Sequence, residues 1–146
     1  MPAKKKEEFN LATAFSAVKR DLEAEKEGVW LPIPDIEQDI EFKIRSADYE
    51  PYTQLVTKKI RNYKEQTRSK TVPEKRLSEI MAEATARHLV IDWRGEGVKG
   101  QPFDKEQVIA IFTDPSYSLI ADYVHDQASK AATFRQELRE DAAKNS

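Results

Sequence analysis

Residues 95–100 read GEGVKG, and they hold three of the four glycines in the chain. Written G-x-G-x-x-G, the stretch is the fingerprint of a dinucleotide-binding loop, which would place the protein in the doubly wound α/β class. That loop works only with a strand before it, a helix starting at its last glycines, and a second parallel strand afterwards. The preceding segment, EIMAEATARHLVIDW (79–93), has the alanines and the three-to-four spacing of a helix. After Gly100 come Gln101 and Pro102, then a helix of about ten residues that Pro115 ends. No apolar β-branched run follows to supply the second strand. GEGVKG therefore reads as a turn between two helices, and the fold as α+β.

Working outward, NLATAFSAVKRDLEAEKEG (10–28) spaces Leu11, Phe15, Val18 and Leu22 as one amphipathic helix, with Gly28 as its stop. The period then changes. Ile40, Phe42 and Ile44 alternate with Glu41, Lys43 and Arg45, which is strand patterning. Val29, Leu31 and Ile33 alternate in the same way, and Pro32 and Pro34 confine that strand to a sheet edge. Together they predict an antiparallel hairpin over about 29–45, with Glu37, Asp39 and Glu41 on its wet face.

Helical spacing returns at Tyr52, Val56, Ile60 and Tyr63 and decays in EQTRSKT. Pro73 opens the next helix, in the position where proline is best tolerated; its stripe runs from Leu77, Ile80, Met81 and Ala84 through His88 towards Trp93. Asp104 caps a short helix, with Gln107 at capping-box spacing. Beyond Pro115 the apolar set from Leu119 to Leu138 predicts one long last helix. The expectation is one mostly helical α+β domain over 1–146: a hairpin, then about four helices over 49–139, with flexible ends at 1–8 and 140–146.

Composition narrows the function. A chain of 146 residues buries roughly two-thirds of its unfolded surface. Cysteine is absent, which removes disulfides, thiolate nucleophiles and cysteine metal sites. No stretch approaches the ~20 apolar residues of a membrane span, and no apolar segment follows the basic start MPAKKK. A net charge of −2 argues against a dedicated nucleic-acid binder. Lys58, Lys59, Arg61, Lys64, Arg68, Lys70, Lys75 and Arg76 form a basic run that could meet phosphates, but it reads as a solvated helix end and linker.

Catalytic motifs are missing too. His88 falls on the apolar stripe of its helix. His125 sits beside Asp126, yet adjacent residues on a helix point apart. Asp122 and Asp126 share a face without a third convergent ligand. There is no G-x-S-x-G and no H-E-x-x-H. The expectation is no enzyme, no cofactor and no metal.

The order of segments carries a resemblance. WLPIP (30–34) is followed by EFKIR (41–45), HLVIDWRG (88–95), a G-x-P-F-D-K-E turn (100–106), IFTDPSY (111–117) and IADYVHDQASKAATF (120–134). Over about residues 27–135 this resembles the tail assembly chaperones of long-tailed, siphovirus-type bacteriophages. The resemblance implies a non-catalytic protein that binds the tape-measure protein, keeps it soluble and helps recruit tail-tube subunits. It implies residence in the host cytoplasm and absence from the mature virion. It also implies a longer frameshifted product, for which Ala143-Lys144-Asn145 is compatible with a slippery GCA-AAA-AAC. Two alternatives stay open: a structural tail or head–tail connector protein retained in the particle, and a nucleic-acid-binding accessory protein. No family motif places the client contacts. From the residues alone, Tyr117, Tyr123, Phe134 and Leu138 on the last helix are the candidate partner-binding set, with the region of Phe134 and Leu138 expected to project for client binding or self-association.

Overall fold

The computed structural model describes residues 8–135. It is mostly helical α+β, with a small antiparallel sheet. The sheet has three strands, β1 (Val29–Pro32), β2 (Glu41–Ile44) and β3 (Val90–Arg94), in the order β1-β2-β3. The hairpin of β1 and β2 is as expected, in register Val29 with Ile44 and Pro32 with Glu41, and proline-bearing β1 is an edge. The third strand is a correction: the spacing of HLVIDW predicts the end of a helix, and the chain is extended there from Val90. It pairs Phe42 with Trp93 and Glu41 with Arg94, and the register shifts at Lys43–Ile44. The β-branched pair Val90-Ile91 favours extended backbone, and a free edge of β2 is there to receive it.

Seven helices accompany the sheet among the described residues: α1 (Leu11–Ala14), α2 (Leu22–Glu27), α3 (Glu50–Thr67), α4 (Glu74–Ala84), α5 (Lys105–Phe112), α6 (Ser118–Ala128) and α7 (Ala131–Phe134). Pro51 lies in the first turn of α3, and Pro73 immediately precedes α4. The last turn of α4 widens into a π-helical turn, Thr85–Leu89, before the chain enters β3. That transition places Leu89 and Val90, adjacent in sequence, both in the core. Lys105 reaches back from the start of α5 and donates to the carbonyls of Ala86 (3.0 Å), Arg87 (3.1 Å) and Val90, satisfying acceptors that the helix end leaves open.

Ile44, Leu89, Val90, Val124 and Phe134 form the fully buried centre. The strands lead into it by main-chain bonds: Arg45 donates to Leu89 at 2.8 Å, Ser46 to Glu25 at 2.9 Å and Ala47 to Ala128 at 2.8 Å.

Both terminal helices depart from expectation. The N-terminal stripe does not form one helix: α1 ends at Ala14, a 3₁₀ turn spans Ser16–Val18, and Lys19 is extended. Asp21 then caps a new helix by accepting from Ala24 at 3.0 Å. The long last helix breaks at Ser129 and Lys130, and α7 folds back against α2 and α6. Phe134 is 0% exposed, so the expected projecting surface is corrected: this ring belongs to the core. Leu138 and the Ala143–Asn145 segment lie outside the described residues. No helix among the described residues is long and apolar enough to cross a membrane.

Candidate functional site

GEGVKG turns from strand to helix, after β3 rather than after a helix. The amides of Glu96, Gly97, Val98 and Lys99 are taken up by the chain itself. Glu96 N donates to Asp39 Oδ2 at 3.2 Å and Gly97 N to the Asp39 carbonyl at 2.8 Å. Val98, Lys99 and Gln101 donate to Gly95, Glu96 and Val98. The helix that follows starts only at Lys105, and its first amides are capped by Asp104. Gln107 Nε2 bonds the Asp104 carboxylate at 3.1 Å, a variant of the expected capping box. The loop thus clamps the β1–β2 connection (33–40) and leaves those amides no reach to a phosphate.

That clamp builds one wall of an open apolar groove of about 460 Å³. Ile33, Ile36 and Ile40 form one side, Phe42 and Trp93 the floor, and Ile111, Tyr117 and Ile120 the other side. The floor is rigid. Trp93 Nε1 donates to the Gln101 carbonyl at 3.0 Å, Phe103 packs edge-on at 5.2 Å, and Phe42 lies 6.3 Å from Phe112. The polar side chains that line the groove are Gln38, Gln101 and Gln107.

Of the three candidate partner residues that are described, Tyr117, Tyr123 and Phe134, only Tyr117 lines this groove. Tyr123 is half-buried, with its hydroxyl donating to Pro32 at 3.4 Å. The isoleucines of the 33–40 connection were missed. Sequence reading gave Glu37 and Asp39 to a strand face, whereas β2 starts only at Glu41. The available signal was Ile36, an apolar residue outside both strand alternations and spaced three and four from Ile33 and Ile40.

The basic run is spread along the exposed side of α3 and the chain beyond it. Lys59 pairs with Glu83 and Arg76 with Glu79, while Lys58, Arg61, Lys64 and Arg68 are exposed. No trio of His, Asp or Glu among the described residues is placed to hold one metal ion.

The histidines have an electrostatic consequence. Burial lowers the pKa of both, assisted at His88 by the charges of Lys105, Arg87 and Arg45, and opposed at His125 by Asp126 and Asp122. The His125 ring lies 6.3 Å from Tyr52. A lowered folded pKa means that the unfolded chain takes up protons first. Stability should therefore be complete above the ordinary histidine value of 6.5 and fall as the pH drops through and below it. Urea midpoints taken from neutral to mildly acid pH should show this decline. His125→Gln should flatten it, and an unchanged slope in that variant would remove His125 from the account.

Residues 47–145 match the family described as YdaY prophage protein. No curated protein and no solved structure matches the chain. The match takes in α3 to α7 and β3 but starts after β2, so the groove joins a wall inside it to a wall outside it. Because it covers more than half of the sequence, the chain belongs to the YdaY prophage protein family, a phage-related group.

Proposed function

We propose that this protein is a non-catalytic phage tail assembly chaperone, which holds the tape-measure protein soluble and assists recruitment of tail-tube subunits. The groove carries the reading. An apolar trough between a loop and two helices, with a polar rim, is how an amphipathic helix is received by its apolar stripe. Prophage family membership and the resemblance in segment order support the same role. A chaperone must also let go, and a small groove with a neutral polar rim suits weak, reversible capture. It would act in the host cytoplasm and leave before the virion is complete.

Ile36→Asp tests the groove at a loop position that is 38% exposed. Its unfolding free energy should stay within about 0.5 kcal/mol of the wild type. The soluble fraction of a co-expressed tape-measure protein should fall several-fold. Undiminished solubility of the client with both Ile36→Asp and Tyr117→Asp would overturn the groove assignment. Detection of the chain in purified virions by mass spectrometry would replace the chaperone with a retained structural protein.

A further inference from the structure

Charged residues make up 34% of the chain, and none of them is among the fifteen residues that line the groove. The segments that build the walls are nevertheless charged. The 33–40 connection carries Asp35, Glu37 and Asp39, and Glu96, Lys99, Asp104, Glu106 and Asp114 lie in the segments that supply the rest. On a surface so rich in charge, a neutral apolar patch is the informative feature.

The fold employs several of these charges elsewhere. Asp39 accepts from Glu96 N at 3.2 Å, Asp104 caps α5, and Asp114 accepts from Ser116 N at 2.9 Å. Arg94 pairs with Glu41 at 3.2 Å and lies over the Trp30 ring. What the walls offer instead are the carboxamides of Gln38, Gln101 and Gln107. The side chains of Gln38 and Gln101 make no hydrogen bond among the described residues, and Gln107 gives only its Nε2, to Asp104. A carboxamide both donates and accepts, so it can serve a hydroxyl or another carboxamide in either orientation.

We infer that the groove selects its client by neutrality: the occupant is a helix whose docked apolar stripe is flanked by uncharged side chains, with its charges confined to the opposite face. This rests on the reading of the groove as a helix-binding site and adds which helices it takes. A flank of either sign would lose water against isoleucine and aromatic walls that hold no counter-charge, and that desolvation is not offset. Glutamine, asparagine, serine or threonine flanks exchange water for the wall carboxamides at little loss. Coulomb attraction contributes nothing to such a contact, so capture is insensitive to salt.

Three helical peptides of identical composition test this against the full-length protein by titration calorimetry. Each carries leucine at i, i+3, i+4 and i+7. Their glutamines, lysines and glutamates are permuted so that one type flanks the stripe and the other two lie on the far face. The glutamine-flanked peptide should bind at least about fivefold more tightly than either other. Its Kd should change less than about twofold between roughly 50 and 500 mM sodium chloride. Equal affinity of the three, tightest binding by the lysine-flanked or glutamate-flanked peptide, or a Kd that rises steeply with salt overturns the inference. Gln38→Lys puts a cation on the wall at an exposed loop position. It should shift the preference to the glutamate-flanked peptide and make that binding salt-dependent, and an unchanged order of affinities counts against selection by the wall.

Ile36→Asp keeps the two readings apart. Peptides that bind without regard to their flanks, yet are lost in Ile36→Asp, leave the groove a helix site and remove its selectivity. Binding of none of the three, or binding that Ile36→Asp does not weaken, overturns the groove reading and the inference together. A wild-type dimer in sedimentation equilibrium that Ile36→Asp separates would give the groove to a second copy and overturn the inference as well.

Discussion

Phe134→Ala is expected to lower the free energy of unfolding by about 3–5 kcal/mol, the range for a buried aromatic cut to a methyl group. The ring is 0% exposed, at the end of a four-residue helix that packs on α2 and α6. So short a helix has almost no stability of its own, and the buried ring is what holds it in place. The loss should therefore include undocking of α7 and weaken the seat of α2. Urea denaturation followed by tryptophan fluorescence and by circular dichroism measures it. A loss below about 1 kcal/mol would mean that the site collapses around the missing ring, or that α7 is not docked. Phe134→Leu should cost clearly less, because most of the volume returns.

The second large effect is expected at Gly95. Its φ of 122° lies where L-residues are strained, and a Cβ there would stand 2.3 Å from the Asp39 carbonyl oxygen. Backbone strain of this kind costs about 1–3 kcal/mol by itself. The clash adds to it, because the obstructing atom is main chain and bonds Gly97 N at 2.8 Å. Gly95→Ala should thus destabilise by more than 3 kcal/mol, roughly, or push the 33–40 connection away and open the groove. Gly100 is the control. It also has positive φ, 76°, but a Cβ would meet nothing within 4 Å. Gly100→Ala should cost about 1–2 kcal/mol. Equal losses at the two positions would show that conformation alone, without the close approach, governs the turn.

These two sites also mark where sequence reading stopped. The glycine segment was correctly read as a turn, since its flanks lack the parallel strands a phosphate loop requires. Its partner in space, Asp39, was legible only as one of several alternating acids. Gly97 shows the same limit. It has no positive φ, yet a Cβ would come within 2.8 Å of Ile40 and 2.9 Å of Asp39 O, a constraint set by a segment almost sixty residues away.

Local signals determined the elements whose information is local. Proline at the start of α3 and before α4, the Asp104 cap, and the alternation of the β1–β2 hairpin are each settled within a few residues by φ restriction, amide satisfaction or side-chain periodicity. They suffice for a mostly helical α+β class. Tertiary contact decided the rest. Residues 90–94 are a strand because β2 offers an edge and Trp93 faces Phe42, although the alanines before them extend a helical pattern. Phe134 is core because the break at Ser129–Lys130 turns α7 back onto α2. The N-terminal segment keeps an amphipathic sequence without forming one helix, because no surface of its own fold covers that stripe and a short helix gains its stability from burial. The groove was the least legible of all. Its walls come from the 33–40 connection, β3 and the α5–α6 region, and only folding brings their apolar side chains to one place.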